Sequence, residues 1–328
     1  MAETIALVGG DTLLGREVRE VFAESSLASQ LRLVAAEEEE TGKLTEIGGA
    51  ATFLTKLDPD AVGNAAVVVL AGTRKSSQDV LDAKPSGLII DLTYITEEDP
   101  EARVRAPMVE AVAYDNEGSG PQVVAHPAAI AIALVLERLH RVWPITQSIV
   151  HVFEPASERG KAGIDELQQQ TVSLLSFQPL KKTVFDTQLS FNMLAQLGEE
   201  AKDPLQDTEE RIERHLASLL ERGAGVPMPS LRVIQAPVFH GHSFSLWIEL
   251  EDAPSAAEIE EALAGDRIDV RARDLEPPNN VGSVGQSGVS VGAISPDRNN
   301  ANAVWIWMAA DNFRLMAESA AMIALEVH

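Results

Sequence analysis

Two stretches of this sequence hold residues that could do chemistry. In the first, Val233 to Val238 and Ser243 to Leu250 read as β segments meeting at a kink at Gly241. Such a kink would aim the imidazole of His242 out of a sheet, where it could serve as a general acid or base. In the second, Val123 to Ile130 reads as a strand that breaks at Pro127 and opens a helix. Ala129 stands near the start of that helix, where the macrodipole would lower the pKa of a thiol. The position suits a nucleophile, but it holds a methyl group. His240 and His242 are two residues apart and would share one face of a regular strand, a geometry open to metal binding. No third ligand is placed beside them, so no metal is expected and His240 reads as a surface residue.

The chain of 328 residues, 45% hydrophobic, can bury sizeable cores in two domains. Its formal net charge of -24 excludes a sequence-independent grip on nucleic acid or on anionic lipid. The absence of cysteine excludes disulfides, thiolate metal sites and thiol nucleophiles together. Met1 to Thr4 lead straight into a strand, and the longest apolar run, Ala128 to Leu136, is too short to span a bilayer. A soluble cytoplasmic protein is expected.

The elements that must position these residues begin with Ile5 to Val8, the turn Gly9-Gly10-Asp11-Thr12-Leu13-Leu14-Gly15 and an amphipathic segment from Arg16 to Phe22. Strand, glycine turn and helix open a dinucleotide-binding βαβ unit. Thr12 holds the place of the middle glycine, which lets backbone approach a pyrophosphate, and Asp11 adds a negative charge. The second strand, Leu31 to Ala35, runs into Glu37-Glu38-Glu39-Glu40. One of these acids could hold a ribose 2′-hydroxyl; otherwise the run is a solvated turn. Ala66 to Leu70 and Gly87 to Leu92 read as further buried strands, the first leading into Ala71-Gly72-Thr73-Arg74-Lys75. Later come a helix over Ala128 to Val142, a strand over Thr146 to Phe153 and a helix starting at Thr208. A loop over Asp274 to Gly288 follows, then strands over Val289 to Ile294 and Asn302 to Ala309 and a last helix from Asp311. The expected fold class is α/β. Residues 1–127 and 311–328 form a doubly wound Rossmann-type nucleotide-binding domain; residues 128–310 form an α+β domain with a mostly antiparallel sheet.

His126-Pro127-Ala128-Ala129 and Gln235-Ala236-Pro237-Val238-Phe239-His240-Gly241-His242 resemble two motifs of aspartate-semialdehyde dehydrogenases. These are Asn-Pro-Asn-Cys at a strand-to-helix junction and Arg-Val-Pro-Val-x-x-Gly-His around the catalytic histidine. Glu154 to Leu167 likewise resembles the family's Gln-x-x-Ser-Gly-x-Gly-x-x-Gly-x-x-Glu-Leu, and Asp311-Asn312-Phe313-Arg314-Leu315-Met316-Ala317 its Asp-Asn-x-Arg-x-Gly-Ala. The resemblance implies that His242 is the acid/base, that the nucleophilic cysteine falls on Ala129, and that the substrate-orienting glutamine and arginine fall on Glu154 and Gln235. It implies an NADP or NAD site at Gly9, Gly10, Thr12, Gly15, Ala71, Gly72, Thr73 and Asn312. Glu38 and its neighbours stand where the family holds the 2′-phosphate of NADP, and Arg74 or Lys75 could replace a lost phosphate-binding arginine. Ile212 stands in place of a lysine, and Met316, in place of a glycine, would fill cofactor space. A homodimer through the second domain's sheet is implied as well.

The family's reaction needs a thiolate, a histidine to take its proton, a nicotinamide and phosphate. Ala129 can supply no nucleophile, and the next residues are Ile130 and Ala131. Two readings follow. In one, the chain has lost the phosphorylating dehydrogenase activity and is a dimeric binding or regulatory homologue, paired with itself or with an active relative. In the other, it is an active NAD- or NADP-dependent oxidoreductase on an aldehyde, using His242 as acid/base without a covalent intermediate.

Overall fold

The computed structural model describes residues 4–37, 40–110, 120–223 and 225–327. Glu38 and Glu39 lie outside the described residues. The chain forms two compact units, Met1–Ala125 with Met316–His328, and His126–Leu315.

The first unit runs β1 (Ile5–Val8), α1 (Leu13–Ala23), β2 (Leu31–Val34), β3 (Leu44–Ile47), β4 (Ala50–Phe53), α2 (Pro59–Gly63), β5 (Val67–Leu70), α3 (Arg74–Asp82), β6 (Leu88–Asp91), β7 (Arg103–Arg105) and β8 (Gln122–Val124). Six strands form a parallel sheet in the order β2-β1-β5-β6-β8-β7. β1 and β5 are apolar throughout and buried at every position, as strands covered on both faces must be. The order switches direction at β1, so the crevice beyond the C-terminal ends of β1 and β5 is where such sheets take ligands. Gly9 turns there at φ +87°, and a Cβ on it would lie 2.4 Å from the Cα of Gly72 in the loop after β5. Only glycine allows both the conformation and the approach. β3 and β4 make a separate hairpin.

The second unit runs α4 (Pro127–His140), β9 (Ile145–Glu154), a 3₁₀ turn (Ala156–Arg159), α5 (Gly160–Leu175), α6 (Leu205–Arg222), β10 (Ser230–Gln235), β11 (His242–Leu250), α7 (Ala256–Leu263), β12 (Ile268–Val270), β13 (Val289–Pro296) and β14 (Ala303–Ala310). α8 (Asn312–Leu325) starts here and ends in the first unit. The sheet order is β10-β9-β11-β14-β13-β12. The three central pairings are antiparallel and the two outer ones parallel, so the sheet is mixed and mostly antiparallel. Period-two burial makes one face of β9, β11 and β14 core, with Val150, Val152, Phe244, Leu246, Ile306 and Met308 inside. The other face carries Ile149, Phe153, Trp247 and Trp307 half-buried and Trp305 39% exposed.

α6 starts at Leu205, ahead of the acidic run that marked its beginning in the sequence. Ile212 is fully buried with Leu216 and Leu219, so that position belongs to the core. Among the described residues, no helix is long and apolar enough to cross a membrane.

Candidate functional site

The strand-to-helix junction and the Gly241 kink meet within the second unit. Pro127 occupies the first turn of α4, where its missing N–H costs nothing. His126 is the N-cap: its Nδ1 accepts from the amide of Ala128 at 3.2 Å, while its own amide donates to Nδ1 of His215 at 2.9 Å. Nδ1 is therefore an acceptor, which leaves the proton on Nε2. Ala129 is the third residue of α4 and wholly buried. Gly241, at φ +82°, reverses the chain so that His242 opens β11 as a residue only 1% exposed. The rings of His126 and His242 lie edge to face, 5.9 Å between centroids.

A residue the sequence reading passed over stands between these histidines. Glu158 lies in the 3₁₀ turn after β9, with Oε2 3.6 Å from Nε2 of His126 and Oε1 3.8 Å from Nε2 of His242. The amide of Asn312 donates to Oε1 at 2.7 Å. Burial would raise the Glu158 carboxyl, but His126, the charge of His242 and the Asn312 amide outweigh it and hold the pKa near 2. Burial pushes His242 down; Glu158 opposes this, His126 and His240 reinforce it, and the result is about 4. At neutral pH the site is thus a carboxylate beside a neutral imidazole. In the glutamine-to-leucine motif quoted above, Glu158 occupies the glycine after serine, which was the available signal.

Glu154 and Gln235, the two altered substrate-orienting positions, are both fully buried and are joined by Arg159. The Arg159 Nη1 bonds Glu154 and donates to Oε1 of Gln235 at 2.8 Å. The Gln235 amide donates to the backbone oxygen of Glu154 at 2.8 Å. Arg159 also sits 5.7 Å from the centre of the Phe185 ring. Burial and the nearby Glu158 push the Glu154 carboxyl above its ordinary value, against the pull of Arg159. The guanidinium that could have met a ligand carboxylate is engaged by the protein's own.

His240 is not a free surface residue, and it lies before the Gly241 kink, outside β11. Its Nδ1 is 3.0 Å from Oγ of Ser157, and its Nε2 is 2.9 Å from Oδ1 of Asp311. Asp311 also accepts from the amides of Phe313, Arg314 and Gly285. Burial would raise its carboxyl, but His240 and these amides keep it low. Ser157 is fully buried, so this chain ties the 3₁₀ turn to the start of α8 rather than presenting a nucleophile. Among the described residues, no group of three His, Cys, Asp or Glu side chains could hold a metal ion.

In the first unit, the residues expected from the sequence at a nucleotide site lie in the turns at the C-terminal ends of β1 and β5. Thr12 caps α1: its hydroxyl accepts from the amide of Gly15 at 2.9 Å and donates to the carbonyl of Ala71 at 2.7 Å. Gly10 precedes Asp11, whose carboxylate is paired with Arg16 and Lys43. Burial would raise it, yet the two cations hold it below its ordinary value. Thr73 caps α3 reciprocally with Ser76. Arg74 is exposed, and Lys75 pairs with Asp79 at 3.0 Å. Met316 is 4% exposed and receives a bond from the hydroxyl of Tyr94 at 3.7 Å. A cavity of about 790 Å³ is lined by Ala35, Glu37, Lys56, Asp58, Thr73 and Lys75, among others. Asn312, in contrast, belongs to the second unit with Glu158.

A parallel six-stranded sheet of Rossmann type and a mixed, mostly antiparallel sheet that buries a histidine after a glycine kink define a two-unit α/β architecture. Comparison with known proteins supplies the particular family. Residues 136–315 match the semialdehyde dehydrogenase dimerisation domain. The aspartate-semialdehyde dehydrogenase of Rickettsia bellii is 28% identical over 322 residues, covering 94% of this chain and 93% of that protein. A USG-1 protein homolog of Azotobacter vinelandii is 28% identical over 326 residues, covering 94% and 93%. The solved structure of a probable aspartate-semialdehyde dehydrogenase from Pseudomonas aeruginosa has the same fold, with a TM-score of 0.86 at 23% identity, covering 100% of this chain and 98% of that one. The chain belongs to the aspartate-semialdehyde dehydrogenase family.

Proposed function

We propose that this chain has given up the phosphorylating dehydrogenase reaction of its family and acts as a homodimeric binding or regulatory homologue. The observation that carries the reading is Ala129: the helix start that would activate a thiolate holds a buried methyl group, in a chain without cysteine. Neither neighbour in sequence, Ala128 or Ile130, offers a hydroxyl in its place. The surroundings have changed in the same sense. Arg159 is engaged by Glu154 and Gln235, and Glu158 sets a fixed negative charge beside His242. A substrate carboxylate would meet repulsion where the family's reaction needs attraction.

The family binds NADP. In this chain the cavity beyond β2 and β5 is lined by carboxylates as well as lysines, and Glu37 lies in the turn that follows β2. That lining fits a ribose with free hydroxyls and disfavours a 2′-phosphate, so a nucleotide held there would be NAD rather than NADP. Bound, such a group would supply a hydride carrier, and the turns after β1 and β5 would hold it in this unit. A homodimer would use the outer face of the second unit's sheet, where Trp247 pairs across strands with Trp305 and Ile149.

The test is the turnover of L-aspartate semialdehyde by the purified chain with phosphate and either nucleotide. Absence of turnover is expected; an enzyme-like rate would overturn the proposal.

A further inference from the structure

The turn after the first strand is where a parallel sheet of this kind takes the diphosphate of a dinucleotide, on the free amides that open the following helix. In this chain two side chains already stand in that turn. The Thr12 hydroxyl accepts from the Gly15 amide at 2.9 Å and donates to the carbonyl of Ala71 at 2.7 Å, so one of those amides is satisfied from within. The Asp11 carboxylate, 7% exposed, pairs with Nη2 of Arg16 at 3.1 Å and with Nζ of Lys43 at 2.5 Å. Arg16 belongs to α1, and Lys43 reaches the turn from just before β3. An entering diphosphate would meet an anion whose two cations are already engaged. The loop after β5 is closed in the same manner, because the hydroxyls of Thr73 and Ser76 accept from each other's amides.

The cavity of about 790 Å³ is a separate place: among the described residues, none from Gly9 to Gly15 lines it. Its volume suits a small molecule, for which sites run from roughly 300 to 1,000 Å³. Leu57 and Pro59 give it an apolar wall on which a flat heterocycle can lie, and Glu37 and Asp58 bring carboxylate acceptors for a pair of sugar hydroxyls. Its lysines, Lys56 and Lys75, are outnumbered by Glu37, Asp58 and Asp79, and Lys75 is paired with Asp79 at 3.0 Å. Base and sugar therefore find a lining that suits them, while the phosphates do not.

We propose that the first unit binds a nucleoside without phosphate, with Asp11 holding the diphosphate place against a dinucleotide. This rests on the reading that the cavity takes the sugar end of a nucleotide, and it extends the charge argument from the 2′-phosphate to the diphosphate.

Calorimetric titration of the full chain at pH 7.5 and constant ionic strength, with adenosine, ADP and NAD, tests the inference. Adenosine should bind saturably, and ADP and NAD should each bind at least about tenfold more weakly. Asp11→Asn keeps the shape of the side chain and releases Arg16 and Lys43. It should tighten ADP and NAD about tenfold while leaving adenosine within about twofold. Thr12→Gly provides a second reading should the first variant not fold, and it too should tighten ADP. Binding of ADP or NAD by wild type as tight as that of adenosine, or a preference unchanged in both variants, would overturn the inference and leave the cavity reading standing. No binding of any of the three probes would remove both.

Discussion

Nε2 of His242 lies 3.8 Å from Oε1 of Glu158, and both groups are displaced from their ordinary pKa values, the imidazole to about 4 and the carboxyl to about 2. The unfolded chain takes up the His242 proton near 6.5, whereas the folded chain resists it down to about 4. The stability linked to His242 is therefore complete above pH 6.5 and declines as pH falls through this window. Glu158 stabilises the fold above about 4.5, and that contribution is lost as pH falls toward 2. Urea unfolding between pH 7.5 and 4 should show wild type losing stability relative to His242→Phe. Parallel curves would contradict the assignment.

Arg159 should be the most sensitive side chain of the site. Replacing it with leucine strands the Glu154 carboxylate and the Gln235 amide in the interior, at a cost of roughly 3–5 kcal/mol. The double variant Arg159→Leu with Glu154→Leu should recover part of that loss, because no buried charge is left behind. Denaturant midpoints for the three proteins would show it; additive losses would mean that the pair is not coupled.

Assembly should depend on the outer face of the second sheet. Trp247 and Trp305 pair directly, and both indole N–H groups donate to Asp297. Trp305→Glu would place a charge on the proposed dimer surface and should yield a monomer by light scattering. A dimer of unchanged mass would move the interface elsewhere.

The first unit should prefer NAD to NADP. The carboxylates of Glu37 and Asp58 would oppose a 2′-phosphate, and the preference should reach about tenfold, or about 1.4 kcal/mol. Competitive titration measures it, and tighter binding of NADP would refute the charge argument.

Much of this architecture was legible in the sequence because its signals are local. β1 with the Gly9 turn, the Pro127 junction and the Gly241 kink all lie where residue type alone sets the backbone. The β3–β4 hairpin was missed although Gly48-Gly49 marks its turn, since its strands are short and half polar. The site was legible only in part. Ala129, Glu154, Gln235 and His242 could be identified as positions, but the guanidinium linking two of them comes from Arg159, which no spacing rule singles out. Glu158 and His240 gain their meaning from partners more than 70 residues away, Asn312 and Asp311. Contacts at such separations follow from the fold and cannot be read from neighbouring residues.

The central claim is that the chain no longer performs thiolate-dependent dehydrogenation. The most direct measurement is the rate of NADP or NAD reduction with L-aspartate semialdehyde and phosphate, for wild type and for Ala129→Cys. No turnover is expected from wild type, since loss of a nucleophile removes several orders of magnitude. Ala129→Cys alone should stay inactive, because Glu154, Glu158 and Gln235 still shape the site against the substrate's carboxylate. An enzyme-like rate from the wild-type chain would contradict the account.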